Sequence, residues 1–168
     1  MDAKEFYDSL GGDYDRMVSW QTRIAREAAF FRSLFEENGV RRVLDAACGT
    51  GVHAIEFARQ GLHSAGADLS PAMIDRAREN ARAAGVEVDL EAAAFGELSN
   101  RFTGPFDALT CLGNSLPHLV EDSSIAAALS DFASLLRRGG VCIIQNRNYD
   151  RLLRDRQRFM PLAAREDT

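Results

Sequence analysis

The chain has 168 residues, of which 46% are hydrophobic, and a formal net charge of −5. These values are typical of one globular domain, which we predict over residues 1–168. The acidic balance argues against a nucleic-acid partner, because phosphate neutralisation needs clustered lysine and arginine. No apolar stretch approaches the roughly 20 residues that span a bilayer. The acidic amino terminus is not that of a secretory signal. We therefore expect a cytoplasmic protein without membrane contact.

Three cysteines, Cys48, Cys111 and Cys142, lie in or beside predicted strands. Their number is odd and their spacing is not that of metal ligands. We therefore predict buried thiols and no metal site.

Short β-type runs alternate with longer helical runs along the chain, which is the pattern of βαβ units around a parallel sheet. Helices are predicted near 20–37, 51–60, 71–84, 122–136 and 149–156, and strands near 41–46, 63–68, 87–92, 106–112 and 141–146. Ser70-Pro71 opens the third helix and Gly85 ends it, while Gly139-Gly140 marks the end of the fourth. Right-handed crossovers favour an α/β fold with a doubly wound parallel sheet in the order 3-2-1-4-5.

The residues that follow the first predicted strand form the most specific local pattern. An apolar run ends in Asp45 and leads through Ala46-Ala47-Cys48 into Gly49-Thr50-Gly51 and an amphipathic stretch. Such a segment places a nucleotide-like ligand at a strand-to-helix turn. The two glycines let the backbone approach the ligand closely. The Asp45 carboxylate can accept hydrogen bonds from a cationic or hydroxylated group.

Two ligands compete for this loop. Gly49-x-Gly51-x-x-Ala54 satisfies a relaxed dinucleotide fingerprint, and Asp68 lies 17 residues beyond Gly51. A dinucleotide, however, sets its pyrophosphate on the helix N-terminus, where the nearby Asp45 carboxylate would oppose it. S-adenosylmethionine (SAM) carries an amino group and a sulfonium, which the same carboxylate would stabilise. We favour SAM, and a nicotinamide or flavin nucleotide is the alternative.

Further ligand groups follow the second and third predicted strands, and the carboxyl ends of parallel strands meet at one edge of the sheet. Asp68 is suited to a bidentate contact with ribose hydroxyls, or alternatively caps the turn before Ser70-Pro71. Leu69 and Met73 could flank the adenine, although both would also serve as core residues. The backbone N–H of Phe95 could read an adenine ring nitrogen.

The chain resembles the class I SAM-dependent methyltransferases, and more narrowly their glycine and sarcosine N-methyltransferase-like branch. The resemblance covers about residues 5–152. Its general motifs are residues 43–51, 68–73 and 106–108, and its narrower ones are residues 20–23, 111–119 and 147–150. The narrower motifs imply an acceptor that is a small amine, such as glycine or sarcosine.

The resemblance also implies an architecture for the single domain. A helical lid is expected over residues 1–40, a Rossmann-like core over 41–146 and a tail over 147–168. The family normally completes its sheet with two further strands, which this chain is expected to lack. The open sheet edge could then pair with a second copy, which makes a homo-oligomer a further expectation. A SAM-binding module or fragment without activity of its own is the alternative function.

Roles for cofactor-binding residues come from the same resemblance. Arg23 would bind the carboxylate of the methionine part of SAM, while Ala47, Gly49 and Leu112 would contribute backbone contacts. Asp68 would hold the ribose.

The resemblance also assigns residues to the acceptor. Asn114 and Arg147 would face it, and the planar Arg147 guanidinium would bind its carboxylate in a bidentate manner. The alternative for Arg147 is a solvated surface arginine. His118 would line the acceptor site or make a local backbone hydrogen bond. Tyr14, in the lid, would orient the amine through its hydroxyl, and no general base is required because the amine needs only to arrive unprotonated.

Overall fold

The computed structural model describes residues 20–156, with side chains from residue 24 onward. The strands are β1 (Arg42–Asp45), β2 (His63–Asp68), β3 (Asp89–Ala92), β4 (Phe106–Cys111) and β5 (Leu136–Ile144). The helices are α1 (Trp20–Glu37), α2 (Val52–Arg59), α3 (Pro71–Ala84), α4 (Asp122–Leu135) and α5 (Tyr149–Asp155). All strand pairs are parallel and their order is β3-β2-β1-β4-β5. The predicted fold class and strand order are therefore confirmed. Within residues 20–156, none of the helices has the length and apolar content to cross a membrane.

The two faces of the sheet bury separate cores, because successive strand residues point to opposite sides. On one face, Phe31 of α1 packs against Phe57 of α2 with ring centroids 5.3 Å apart, next to Val43. On the other face, Leu44 and Phe132 of α4 belong to a second cluster. Full burial of a side chain of this size stabilises the fold by about 1.5–3 kcal/mol.

The ends of α3 follow the sequence prediction. The Ser70 hydroxyl accepts a hydrogen bond from the backbone N–H of Met73 at 3.2 Å, and Pro71 occupies the first turn. Gly85 ends the helix in the left-handed conformation, with φ of 68°. Local capping chemistry is sufficient to bound this helix.

The connection from α4 to β5 differs from the prediction. Gly139-Gly140 was expected to end the helix, with the strand beginning near 141, but β5 begins at Leu136, directly after α4. The pairing of β4 with β5 shifts register between Phe106 and Ala108. The two glycines lie within this irregular segment of the strand, where Gly139 has φ of 71°.

A long-range ion pair explains this early strand start. The Asp107 carboxylate accepts hydrogen bonds from the backbone N–H groups of Arg41 (2.8 Å) and Arg42 (2.9 Å), and from Arg137 Nε (2.8 Å). Partial burial acts to raise the pKa of Asp107, but these donors outweigh it and lower the pKa below its usual value. The bond from Arg137 to Asp107 holds the first residues of β5 against β4. The residues that bond to Asp107 are too distant from it in sequence for local patterns to reveal these bonds.

The residue directly before α2 is Gly51, and α3 occupies the space that a side chain there would need. Gly51 has φ of 89°, and a Cβ placed there would lie 3.0 Å from the Ala77 Cβ. Gly61, just beyond α2, has a similar φ of 86° but no heavy atom within 4 Å of the same position. Packing of α2 on α3, as well as backbone conformation, therefore requires glycine at position 51.

We predict that Gly51→Ala lowers the free energy of unfolding more than Gly61→Ala does. Both variants place a side chain on a left-handed backbone, at about 1–2 kcal/mol each. Only Gly51→Ala adds overpacking against Ala77, which costs about a further 1–3 kcal/mol. Urea unfolding of the two variants checks this difference, and equal losses would show that α3 yields to the added methyl group.

We also predict that Asp107→Asn destabilises the fold by about 1–3 kcal/mol at neutral pH. The folded-state pKa lies below the unfolded value of about 3.9, so the carboxylate stabilises the fold above about pH 4 and loses this effect as pH falls through the folded pKa. The difference in the free energy of unfolding between wild type and Asp107→Asn should therefore become smaller as the pH falls. Urea unfolding over this pH range measures it, with Asp89→Asn, an exposed carboxylate on β3, as the control. A gap independent of pH would contradict the assignment.

Candidate functional site

The structure places four predicted site residues along one edge of the sheet. Asp45 and Asp68 end β1 and β2, while Asn114 and Arg147 follow the ends of β4 and β5. Because the strands are parallel, all these ends share the carboxyl edge. Asp45 and Asp68 thus end neighbouring strands at the edge expected to bind a ligand, and Asn114 and Arg147 lie in the loops beyond it.

Asp68 fastens the glycine loop to the end of β2. Its Oδ2 accepts a hydrogen bond from the backbone N–H of Gly49 at 2.9 Å, and its Oδ1 accepts one from Ser70 at 3.0 Å. The turn-capping role offered as an alternative by the sequence is therefore present. The same carboxylate is the group predicted to bind the ribose hydroxyls. The Gly49 N–H, which a pyrophosphate would require, is bound to a carboxylate instead.

Asp45 lies beneath the glycine loop. Its side chain is only 1% exposed, and Oδ1 accepts a hydrogen bond from the Thr110 hydroxyl of β4 at 2.9 Å. In this arrangement the carboxylate acts on a ligand through its charge more than through surface contact. The sequence did not single out Thr110, although a polar residue in a buried strand was a signal that it has a partner.

The thiols beside these carboxylates report the electrostatic character of the loop. Burial raises the pKa of Cys48 well above its usual value, and the charges of Asp68 and Asp45 raise it further. Burial and, to a smaller extent, the negative charge of Asp45 raise the pKa of Cys111 to about 12. Both thiols stay protonated at neutral pH. Burial is the main cause of both shifts, and nearby carboxylate charge adds to it.

The residues predicted to flank an adenine differ in accessibility. The Leu69 side chain is 45% exposed at the end of β2, whereas that of Met73 is 1% exposed and packs in the core. The Phe95 ring packs edge-on against Phe132, with centroids 5.7 Å apart. Leu69 can therefore offer an apolar surface to a ligand, while the Phe95 ring is partly buried against Phe132. Adenine contacts by these residues stay predictions.

The loops after β4 and β5 are joined by hydrogen bonds. Asn114 has φ of 70°, and its Oδ1 accepts a hydrogen bond from the backbone N–H of Arg147 at 3.0 Å. The Tyr149 hydroxyl lies 2.7 Å from Asn114 Nδ2 and 2.9 Å from Oδ1. Asn114 and Arg147, which the resemblance assigns together to the acceptor, are thus neighbours, and their acceptor roles stay predictions. Tyr149 lies in one of the narrower motifs, residues 147–150, but the sequence did not indicate that it joins the two loops by bonding to Asn114.

The remaining predicted residues are placed less closely or fall outside the description. Ala47 is half-buried in the loop after β1, and Leu112 is buried just beyond β4. His118 lies exposed in a short 3-10 turn, Leu116–His118. Tyr14 lies outside the described residues, and so does the side chain of Arg23, whose backbone belongs to α1. Across residues 20–156, no group of three or more histidine, cysteine or carboxylate side chains is arranged to hold a metal ion.

A chain of hydrogen bonds that sequence analysis missed links α1 to the loop after β4. Gln145 Oε1 accepts from the backbone N–H of Gly113 at 3.1 Å, and the Gln145 carbonyl accepts from that of Asn114 at 3.1 Å. Gln145 Nε2 donates to Glu27 Oε1 at 3.2 Å, and Glu27 Oε2 lies 2.7 Å from His53 Nε2. Gln145 could have been singled out from the sequence, because it is a polar residue near the end of a predicted strand. Glu27 had no local signal, because its partners are distant in sequence.

Comparison with known proteins places this geometry in a family. The family model described as a methyltransferase domain matches residues 43–140. A glycine/sarcosine N-methyltransferase from Parasynechococcus marenigrum is 38% identical over 150 residues, which are 89% of this chain and 53% of the relative. Human glycine N-methyltransferase is 36% identical over an alignment of 146 positions that covers 79% of this chain and 50% of the relative. The chain spans about half the length of these curated relatives.

Solved structures share the fold. An amino pentose methyltransferase from Micromonospora echinaspora, solved with SAM bound, has a TM-score of 0.62 and 30% identity, covering 79% of this chain and 52% of that one. A sugar N-methyltransferase from Streptoalloteichus has a TM-score of 0.61 and 31% identity, covering 72% and 47%. With its glycine loop inside the matched region, the chain belongs to the methyltransferase domain family, and its cofactor is S-adenosylmethionine rather than a nicotinamide or flavin nucleotide.

Proposed function

We propose that this chain serves methyl transfer from SAM to the amine of a small acceptor that also carries a carboxylate, such as glycine or sarcosine. The observation that carries the proposal is the hydrogen bond from the Arg147 backbone N–H to Asn114 Oδ1, which brings both residues together at the carboxyl edge of the sheet. Relatives named glycine/sarcosine N-methyltransferase support the acceptor class.

The residues at the loop fit the charge of SAM. Asp45 and Asp68 lie at the ends of neighbouring strands, and their charges add to burial in raising the pKa of Cys48. Asp68 would hold the ribose, and Arg23 would bind the carboxylate of the methionine part. When bound, SAM supplies a methyl group on a positively charged sulfonium. A pyrophosphate would find the Gly49 N–H already bound to Asp68.

The acceptor would be held by the two joined loops. The Arg147 guanidinium presents paired N–H donors that match a carboxylate, so it would fix that end of the acceptor. Asn114 bonds to the Arg147 backbone N–H and to the Tyr149 hydroxyl, and these bonds hold its side chain where it would orient the amine. Tyr14 would add a hydroxyl from the lid. His118 would line the same side.

We predict that Asp68→Ala weakens binding of S-adenosylhomocysteine by about 1.5–3 kcal/mol, because a charged acceptor is lost from the ribose. Calorimetric titration measures the affinity, and urea unfolding confirms that the variant is folded. Asp89→Ala, an exposed carboxylate on the neighbouring β3, is the matched control and should bind as wild type does. Unchanged affinity in Asp68→Ala would contradict the ribose assignment.

We predict that Arg147→Lys raises the acceptor KM about tenfold, equivalent to about 1.4 kcal/mol, because lysine keeps the charge but loses the paired donors. Affinity for S-adenosylhomocysteine should be little altered. Incubation with labelled SAM and glycine, sarcosine or dimethylglycine gives the KM values, with Arg151→Lys on the exposed face of α5 as the control.

The same assay tests the proposed function itself. Methyl transfer to glycine or sarcosine, with little transfer to ethylamine, would support an acceptor defined by its carboxylate. Equal activity on ethylamine, or a KM indifferent to Arg147→Lys, would contradict that acceptor class. Binding of S-adenosylhomocysteine without any transfer would instead identify a SAM-binding module without activity of its own.

A further inference from the structure

Glu27 connects three elements around the carboxyl edge of the sheet. Its Oε2 lies 2.7 Å from Nε2 of His53 in α2, and its Oε1 accepts from Nε2 of Gln145, which follows β5. His53 is only 6% exposed and its ring lies 5.9 Å from that of Phe31. The carboxylate thus bonds to α2 and to the end of β5 from a position on α1.

These contacts fix the amino-terminal half of α1. Glu27, Phe31 and Phe35 follow one another at four-residue intervals, so they lie along one side of the helix. Phe31 and Phe35 bury that side against Phe57 of α2. Glu27 continues the same side toward the carboxyl edge, where polar groups replace the apolar packing.

Arg23 precedes Glu27 by four residues, which is about one turn of α1. Through its hydrogen bonds, Glu27 attaches this end of α1 to α2 and to the residue after β5. Under the proposed function, Arg23 binds the carboxylate of the methionine part of SAM.

We infer that Glu27 is a positioning residue for the amino-acid part of the cofactor, which it serves by holding the turn of α1 that carries Arg23. The inference rests on the proposed function and extends it to a residue outside the family motifs quoted above. Gln145 extends the effect to the acceptor side, since it also binds the backbone of Gly113 and Asn114.

The test compares two ligands that differ only beyond the adenosine. S-adenosylhomocysteine carries the amino-acid part, whereas 5′-methylthioadenosine lacks its carboxylate and amino group. In Glu27→Gln, which is isosteric but uncharged, the affinity for S-adenosylhomocysteine should fall about tenfold, while that for 5′-methylthioadenosine should change less than about twofold. His53→Asn removes the same contact from α2 and should give the same pattern. Calorimetric titration measures both ligands.

The control is Glu36→Gln, an exposed glutamate near the other end of α1, which should leave both affinities unchanged. Equal weakening of both ligands by Glu27→Gln would indicate general loosening of the fold and would overturn the inference, as would no weakening of either. Wild type that binds neither ligand would overturn the proposed function and this inference together. A wild type that binds both, with an unaffected Glu27→Gln, overturns the inference alone.

Discussion

The ligand-binding edge depends on the hydrogen bonds that the Asp68 carboxylate accepts. This carboxylate accepts the Gly49 N–H from the loop after β1 and the Ser70 N–H at the start of α3. This side chain therefore links the glycine loop to the start of the next helix, and the backbone bonds from Cys48 N–H to the Ala67 carbonyl and from Gly51 N–H to the Cys48 carbonyl also hold the loop. Hydrogen bonds to an ionised acceptor are stronger than those between neutral groups, so this anchor is well suited to hold a turn rich in glycine.

That anchor also decides which ligands the loop accepts. A glycine loop at a helix N-terminus usually offers its N–H groups to phosphate, but here the Gly49 donor is already committed to Asp68. The buried Asp45, bonded to Thr110, adds a second negative charge beneath the loop. A cationic sulfonium and amino group suit this field, and a pyrophosphate does not. Electrostatics therefore separates two ligand classes that share the same glycine pattern.

The acceptor side is built differently, from two loops that hold each other. Asn114 and Tyr149 clamp the loops after β4 and β5, and Gln145 ties the first of these loops to Glu27 of α1. Loops held in this way place their side chains more reproducibly than free loops would. The side proposed for the acceptor is therefore connected through Glu27 to His53 of α2, the helix that follows the glycine loop. No local sequence motif predicts this connection.

Periodicity and turn chemistry in the sequence were sufficient to predict the parallel sheet, its strand order and the bounds of α3. The family motifs singled out Asn114 and Arg147, and the predicted strand order explains why they lie close together, because it makes the carboxyl ends of β4 and β5 neighbours. Only the tertiary structure showed that β5 begins at Leu136, that Asp45 is buried against Thr110, and that Glu27 joins α1 to α2 and β5. These features depend on hydrogen bonds between residues far apart in the chain. Local propensity carries no information about such pairs, because it reflects only the neighbours along the sequence.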